Sequence, residues 1–212
     1  MTRIAILGAR GIGAVHARVF AQLGAEIVAI AGSTSASAAA TAGVLAERLG
    51  VRARAFGDVE ALLDATNLDA VVIATPPACH REHLTLCLER ALPVLCEKPL
   101  YWPTGNARSE LADFRTWLDA LPDARLLLNT VSVHFLEAIE RQLREPRGSF
   151  HFEFHTQGRS TGEDIAVDLL PHAFALLAHL DPTPLAIREL CVRSETHRWR
   201  ATFLHGDRAV RF

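Results

Sequence analysis

A glycine-rich turn between an apolar run and a helix-like segment constrains the fold of this chain more than any other feature. Residues 4–16 read I-A-I-L-G-A-R-G-I-G-A-V-H. Such a turn joins a buried parallel strand to a helix whose free N–H groups and positive dipole end can hold a diphosphate. The strict G-x-G-x-x-G pattern requires glycine where this chain has Arg10. On the turn alone, an ordinary strand–helix connection is an equal alternative to a dinucleotide site.

Apolar runs alternate with helical stripes over the first 130 residues. The runs lack the polar alternation of half-exposed strands, which is typical of buried parallel strands. Strands are predicted at Ile4–Leu7, Ile27–Ile30, Ala70–Ala74, Val94–Cys96 and Leu126–Leu128. Helices are predicted at Ile12–Leu23, from a cap at Ser35 or Ser37 to Gly50, from the cap Asp58 to Ala65, after Pro76-Pro77, and from Leu111 until Pro122. We therefore predict an α/β fold in which residues 1–130 form a Rossmann-type, doubly wound parallel sheet.

The pattern changes after residue 130, where strand signals are no longer separated by long helices. We predict a helix with Phe135, Ile139 and Leu143 that ends before Pro146, and then a strand with Phe150, Phe152 and Phe154. A helix with Leu170, Phe174 and Leu177 follows. Strands are predicted from Leu185 onward, with a hairpin turn at His205-Gly206-Asp207 between Trp199–Leu204 and Ala209–Phe212. Residues 131–212 are therefore predicted to form a shortened α+β domain with an open, mostly antiparallel sheet.

Composition narrows the class of protein. The net charge is −2 and half of the residues are hydrophobic, while the basic residues are scattered. We expect no nucleic-acid partner, no membrane span and no signal peptide. The four cysteines, Cys79, Cys87, Cys96 and Cys191, lack C-x-x-C spacing, which favours reduced thiols in the cytoplasm. His134, His151 and His155 lack an evident third ligand, so no metal site is predicted.

Two predicted strands end in motifs suited to a ligand site. Val71–Ala74 runs into Thr75-Pro76-Pro77, where the prolines force the chain to leave the sheet. Val94–Cys96 runs into Glu97-Lys98-Pro99. Ligands of doubly wound sheets lie at the carboxyl ends of the strands, so Lys98 is well placed to reach one. The alternative is a surface cation that ends a strand.

These elements together resemble the Gfo/Idh/MocA family of NAD(P)-dependent oxidoreductases. The glycine turn, A-T-P-P-A-C-H at 74–80 and C-E-K-P at 96–99 occur in the family's order, and Asp168-Leu169-Leu170-Pro171-His172 resembles its D-x-x-x-H element. The resemblance covers most of the chain and is strongest over residues 1–100. It implies hydride transfer between a nicotinamide and a small polar substrate, with sugars and cyclitols as the usual substrates of the family.

The resemblance also implies roles for individual residues. The diphosphate turn would be lined by Gly8, Gly11 and Gly13, with Arg10 and Ile12 beside them. The nicotinamide would be bordered by Thr75 and Pro76, with His80 packed close by and Glu97 in the cofactor site. Lys98 would donate to the substrate oxygen, and His172 would exchange a proton while Asp168 orients it.

The spacing of Asp168 and His172 agrees with that proton role. Residues four apart share one face of a helix. Pro171 is expected to be acceptable only near the start of that helix, which would place both side chains at its open end. An imidazole suits proton transfer, and a lysine ammonium offsets charge on a developing alkoxide. The alternative is an Asp–His pair that only stabilises a surface helix.

The end of the second strand bears on the cofactor. NAD sites have an acid there that binds the ribose hydroxyls, whereas this chain reads Gly32-Ser33-Thr34-Ser35. Hydroxyls can donate to a phosphate, and Arg10 could supply a cation. We therefore predict NADP(H), with NAD(H) possible as an alternative.

The predicted protein is thus a cytoplasmic NADP(H)-dependent oxidoreductase that interconverts a hydroxyl and a carbonyl, or an amine and an imine. The alternative is a non-catalytic NAD(P)-binding sensor or accessory protein. A short second sheet would leave an open edge, so we expect a homodimer formed through residues 131–212.

Overall fold

The computed structural model describes residues 1–103, 105–121, 125–139, 148–155 and 160–212. The chain divides into two compact units, Met1–Asn129 and Thr130–Phe212. Each has its own sheet and its own apolar core.

The first unit is a six-stranded parallel sheet with helices between its strands. Its strands are β1 (Arg3–Leu7), β2 (Glu26–Ala31), β3 (Arg54–Phe56), β4 (Ala70–Ile73), β5 (Val94–Glu97) and β6 (Leu126–Asn129), in the order β3-β2-β1-β4-β5-β6. Its helices are α1 (Ile12–Gln22), α2 (Ser35–Leu49), α3 (Val59–Ala65), α4 (Pro77–Glu89) and α5 (Ala107–Asp119). The order reverses direction at β1, which confirms the predicted doubly wound sheet.

Both faces of this sheet are buried against helices. Ile4 and Ile6 of β1 belong to a core with Leu45 of α2. Ala5 and Leu7, which point to the opposite face, belong to a second core with Leu62, Leu63, Leu84 and Cys87 of α3 and α4. Strands covered on both sides must be apolar at every position, which explains why the sequence shows runs without alternation.

Helix ends in this unit follow local capping chemistry. Asp58 caps α3 as predicted, because its carboxylate accepts from the Ala61 N–H at 2.7 Å. Gly50 ends α2 with a φ of 69°. The cap of α2 is Thr34, so the prediction of Ser35 or Ser37 was wrong. Ser37 instead completes a capping box with Thr34.

The second unit contains α6 (Val131–Ile139), β7 (Phe150–His151), α7 (Asp164–Leu180), β8 (Arg188–Glu195), β9 (Arg198–His205) and β10 (Arg208–Arg211). Its four-stranded sheet has the order β7-β10-β9-β8, in which only β7 and β10 are parallel. The predicted mostly antiparallel sheet and the hairpin turn between β9 and β10 are confirmed. Its core joins Phe150, Leu177, Phe203 and Val210.

Several predicted details differ from the structure. Strand β3 was missed, since it has three residues and begins with an arginine. Strand β7 is only Phe150–His151, so the strand predicted through Phe154 was too long. Helix α7 begins at Asp164, seven residues before Pro171, so Asp168 and His172 lie within the helix and not at its open end. Leu143, Pro122 and Pro146 lie outside the described residues.

Candidate active site

The glycine turn between β1 and α1 is held tightly against neighbouring strands. Gly8 has a φ of 82°, and a Cβ there would lie 2.7 Å from the Ala74 carbonyl oxygen. A Cβ on Gly13 would overlap the Gly8 carbonyl oxygen. A larger residue at either position would therefore displace backbone, so both glycines are required by the shape of the turn.

The outer part of the same turn is open. Arg10, Gly11 and Ile12 are exposed, and no side chain among the described residues caps the first turn of α1. The N-terminal N–H groups of a helix need partners and favour an anion. These features fit the diphosphate of a dinucleotide. Arg10 replaces a glycine of the strict pattern, but the turn is still open.

The turn after β2 lies beside the glycine turn. The Gly8 N–H donates to the Ala31 carbonyl at 3.0 Å, so β1 and β2 end at the same edge. Ser33 and Thr34 follow there and are exposed. Residues 32–37 read G-S-T-S-A-S, without a carboxylate. The hydroxyl of Thr34 accepts from the Ser37 N–H as the cap of α2, which fixes this segment.

Two histidines of α4, His80 and His83, contact Thr75 in the turn between β4 and α4. Pro76 is exposed and precedes the first residue of α4. The Thr75 hydroxyl contacts Nδ1 of His83 at 3.0 Å, and burial lowers the pKa of His83, an effect that Glu82 opposes. His80 is fully buried, with Nε2 2.8 Å from the Thr75 carbonyl oxygen and Nδ1 2.9 Å from the Pro99 carbonyl oxygen. Both ring nitrogens of His80 therefore contact protein carbonyls.

Strand β5 ends in Glu97 and then Lys98. Glu97 is 8% exposed, and its carboxylate contacts Nε2 of His16 at 2.7 Å and Nδ2 of Asn129 at 2.6 Å. Burial raises the pKa of Glu97, but hydrogen bonds from His16, Asn129 and the Lys98 backbone together bring it below the usual value. The buried carboxylate is therefore held ionised. Sequence reasoning missed His16 and Asn129, because neither belongs to a local motif.

Lys98 is the only lysine of the chain. The 22 basic residues comprise this lysine and 21 arginines. Its side chain is partly exposed at the carboxyl end of β5. Lysine is a compact, mobile donor, whereas arginine is a rigid fork, so the two are not equivalent at a reaction centre. This count is a signal that a sequence reading could have used.

In the second unit, Asp168 and His172 are half-buried on α7. Their spacing of four places them on one face of this 17-residue helix. Pro171 lies between them in the helix interior, where it cannot donate to the Val167 carbonyl. The structure thus brings the predicted residues into two groups, one at the edge of the parallel sheet and one on α7.

The described residues contain no group of three or more His, Cys, Asp or Glu side chains that could hold a metal ion. In the same residues, no helix has the length and apolar character needed to cross a membrane.

Comparison with known proteins decides the family. Residues 2–115 match the model of the Gfo/Idh/MocA oxidoreductase family, described by its NAD-binding Rossmann fold. The chain belongs to this family. That confirms the resemblance predicted from the glycine turn and the E-K-P tripeptide.

Curated relatives of this Gfo/Idh/MocA protein include inositol 2-dehydrogenases. The protein of Leifsonia xyli subsp. xyli is 40% identical over 100 residues, which are 46% of this chain and 28% of the relative. Inositol 2-dehydrogenase 1 of Mycolicibacterium vanbaalenii is 32% identical over 146 residues, which are 66% of this chain and 38% of the relative. The matches therefore span well under half of the relatives' length.

Solved structures share the fold over nearly the whole chain. The myo-inositol 2-dehydrogenase of Lactobacillus plantarum superposes with a TM-score of 0.73 and 19% identity, over 99% of this chain and 68% of that one. The myo-inositol dehydrogenase of Lactobacillus casei in complex with NAD(H) and myo-inositol gives 0.74 and 14%, over 100% and 66%. At these identities the likeness concerns the fold.

Proposed function

We propose that this Gfo/Idh/MocA protein is an NADP(H)-dependent oxidoreductase acting on a small polar substrate. The observation that carries the proposal is the single lysine, which follows β5 at the edge where the glycine turn after β1 also lies. A nicotinamide cofactor, when bound, supplies the hydride chemistry. Gly8, Gly11 and Gly13 would hold its diphosphate with Arg10 and Ile12 beside them, and Thr75 and Pro76 would border the nicotinamide.

The chain's own residues would then handle the substrate oxygen and its proton. The Lys98 ammonium would donate to that oxygen and offset negative charge that develops on it. His172 would give or take the proton, with Asp168 orienting its ring. Inositol and related polyols are the substrates that the relatives' names support for a first panel.

Turnover and cofactor binding, measured separately, test this proposal. Lys98→Ala and His172→Asn are expected to keep the NADPH affinity of the wild type and to lower kcat about 100-fold or more on a polyol panel. His197→Asn, in an exposed turn, serves as the matched control and should keep kcat. Full turnover by Lys98→Ala would refute the catalytic role of the lysine.

The preference for NADP(H) over NAD(H) rests on the turn after β2. Without a carboxylate, residues 32–37 do not repel a 2′-phosphate. Ser33 and Thr34 are exposed in this turn, and Arg10 is exposed in the glycine turn. We expect Arg10→Ala to weaken NADPH binding about 10-fold or more and to leave NADH binding unchanged. Arg18→Ala, an exposed arginine later on α1, is the control. Equal affinity of the wild type for both cofactors would contradict the preference.

The second candidate is a non-catalytic NAD(P)-binding sensor or accessory protein. It is supported by the family match over residues 2–115, which is described by the NAD-binding fold. NADPH binding without turnover on polyols, sugars and keto compounds would support this candidate over the enzyme.

Assembly and location extend the proposal. We propose a homodimer formed through the second unit, supported by the exposed strand β8, and light scattering should then give twice the mass of the chain. A monomeric mass at working concentration would refute the dimer. A reducing, cytoplasmic setting is supported by four cysteines that form no disulfide.

A further inference from the structure

We infer that His16 and His80 are positioning residues that fix the backbone on either side of Lys98. The inference rests on the proposed role of this lysine. His16 contacts Glu97, the residue before Lys98, and His80 contacts Pro99, the residue after Lys98. We call these two sets of contacts the clamp. The two histidines come from different helices, α1 and α4, so neither the glycine turn nor the E-K-P motif indicates the arrangement.

The Glu97 side of the clamp joins three elements. The Glu97 carboxylate at the end of β5 contacts Nε2 of His16, on α1, at 2.7 Å. It accepts from Nδ2 of Asn129, at the end of β6, at 2.6 Å. It also accepts from the Lys98 backbone N–H. His16 lies one helical turn after Gly13 and is itself mostly buried. The carboxylate thus connects Glu97, the residue before Lys98, to α1, the helix that begins at the glycine turn.

The Pro99 side of the clamp joins two strand ends. Nδ1 of His80 lies 2.9 Å from the Pro99 carbonyl oxygen, and its Nε2 lies 2.8 Å from the Thr75 carbonyl oxygen. Pro99 is buried, and His80 has no exposed surface. One imidazole therefore links the segment that follows β5 to the turn that follows β4.

Fixing the neighbours of Lys98 fixes the direction in which its side chain leaves the backbone. A lysine side chain has many rotamers, and a mobile backbone would add further freedom that must be lost before reaction. With both neighbours held by buried hydrogen bonds, the lysine stem starts from one place at the sheet edge. A donor that must meet a substrate oxygen within a few tenths of an ångström needs such support.

The single lysine allows a test that does not depend on turnover. Reductive methylation with ¹³C-formaldehyde labels only Lys98 and the terminal amine, so the intact chain gives one ε-amine resonance. We expect His16→Leu to shift or broaden this resonance and to raise the labelling rate of Lys98 at least 3-fold. His16→Gln, whose amide can still donate to Glu97, should restore the wild-type resonance.

A second variant and a control keep the test decisive. His80→Leu should change the same resonance through Pro99, and it replaces His16→Leu if that variant fails to fold. If neither leucine variant folds, the labelling rates of His16→Gln and His80→Gln decide. The labelling rate of His16→Gln must match the wild type. That of His80→Gln must exceed it, because both N–H donors of an amide lie on one nitrogen and do not replace contacts made from two sides of an imidazole ring. His197→Leu, in the exposed turn after β8, should leave the resonance unchanged.

The kinetic readout separates this inference from the proposed function. If polyols are turned over, His16→Leu should lower kcat about 10-fold and keep the NADPH affinity, with recovery in His16→Gln. If nothing is turned over, the proposed function fails while the resonance still tests the clamp. An unchanged Lys98 resonance and labelling rate in folded His16→Leu and His80→Leu would overturn the inference.

Discussion

Glu97 illustrates how a nearly buried carboxylate is kept charged by its partners. Removal from water alone would favour the neutral acid. The donors on His16 and Asn129 reverse that preference, and the pKa of Glu97 falls below 4.5. The ionised form is therefore part of the folded state, and its contribution to stability depends on pH.

The acid limb of the stability profile tests the state of Glu97. Because the pKa of Glu97 is lowered in the folded state, its ionised carboxylate adds to the free energy of unfolding at pH values above its ordinary pKa of 4.5. This contribution is lost as the pH falls through the pKa of the folded state. Glu97→Gln should cost about 1 to 3 kcal/mol at pH 7 and less at acid pH, by urea unfolding. Glu47→Gln, exposed on α2, is the matched control. An equal loss at pH 7 and at pH 3 would contradict the assignment.

The cysteines should differ sharply in reactivity. Burial raises the pKa of the Cys87 and Cys96 thiols to about 12, whereas Cys191 is exposed on β8. Since the thiolate is the reactive species, iodoacetamide at pH 8 should modify Cys191 in the folded protein and spare Cys87 and Cys96. Peptide mass mapping before and after denaturation checks this order. Early modification of Cys96 would mean that β5 is not buried as described.

At this scale, residues adjacent in sequence were predictable and residues distant in sequence were not. Glu97, Lys98 and Pro99 form one tripeptide, so the motif identified them together. His16 lies 81 residues and Asn129 32 residues from Glu97, and the contacts depend on how β5, β6 and α1 pack. His80 was predicted in the cofactor site as a neighbour of the nicotinamide. Its buried position, with both ring nitrogens on carbonyls, follows only from the folded chain.

Secondary-structure elements with strong local signals were predicted well. Asp58 and Gly50 mark helix ends through side-chain and backbone properties that depend on a few residues. Strand β3 and the interior position of Pro171 depend on tertiary packing. Three residues beginning with Arg54 form a strand because β2 is beside them. Helix α7 continues through Pro171, although the proline removes one backbone donor.

The cap of α3 offers a prediction at the scale of one element. Asp58→Ala removes the 2.7 Å hydrogen bond to the Ala61 N–H and should cost about 1 kcal/mol of unfolding free energy. Asp58→Asn retains an acceptor at the same place and should recover most of it. Urea denaturation measures both variants. Equal stability of Asp58→Ala and the wild type would show that the cap contributes nothing.

The whole chain consists of two units that each possess a core. The parallel sheet has apolar clusters on both faces, and the second unit has a separate cluster of phenylalanines with Leu177. Within the part of the chain that the structure describes, the buried residues of each cluster belong to a single unit. Such an arrangement is expected of units that can fold separately.

A fragment containing residues 1–129 should therefore fold alone. We expect a cooperative thermal transition by circular dichroism and NADPH binding within about 10-fold of the full chain, since the glycine turn and the β2 turn lie within it. A Gly13→Leu fragment, which would push the turn apart, is the control and should not bind. A fragment without a cooperative transition would show that the first unit depends on the second.

Strand β8 also bears on how the protein behaves at high concentration. All eight of its residues are exposed, and within the described chain it pairs only with β9. An accessible strand of this kind can template aggregation between molecules. Arg188 and Arg193 lie on it among Leu190 and Val192, and such charges act as gatekeepers against fibre growth. Replacing these arginines with alanine would turn a tolerated edge into a solubility liability.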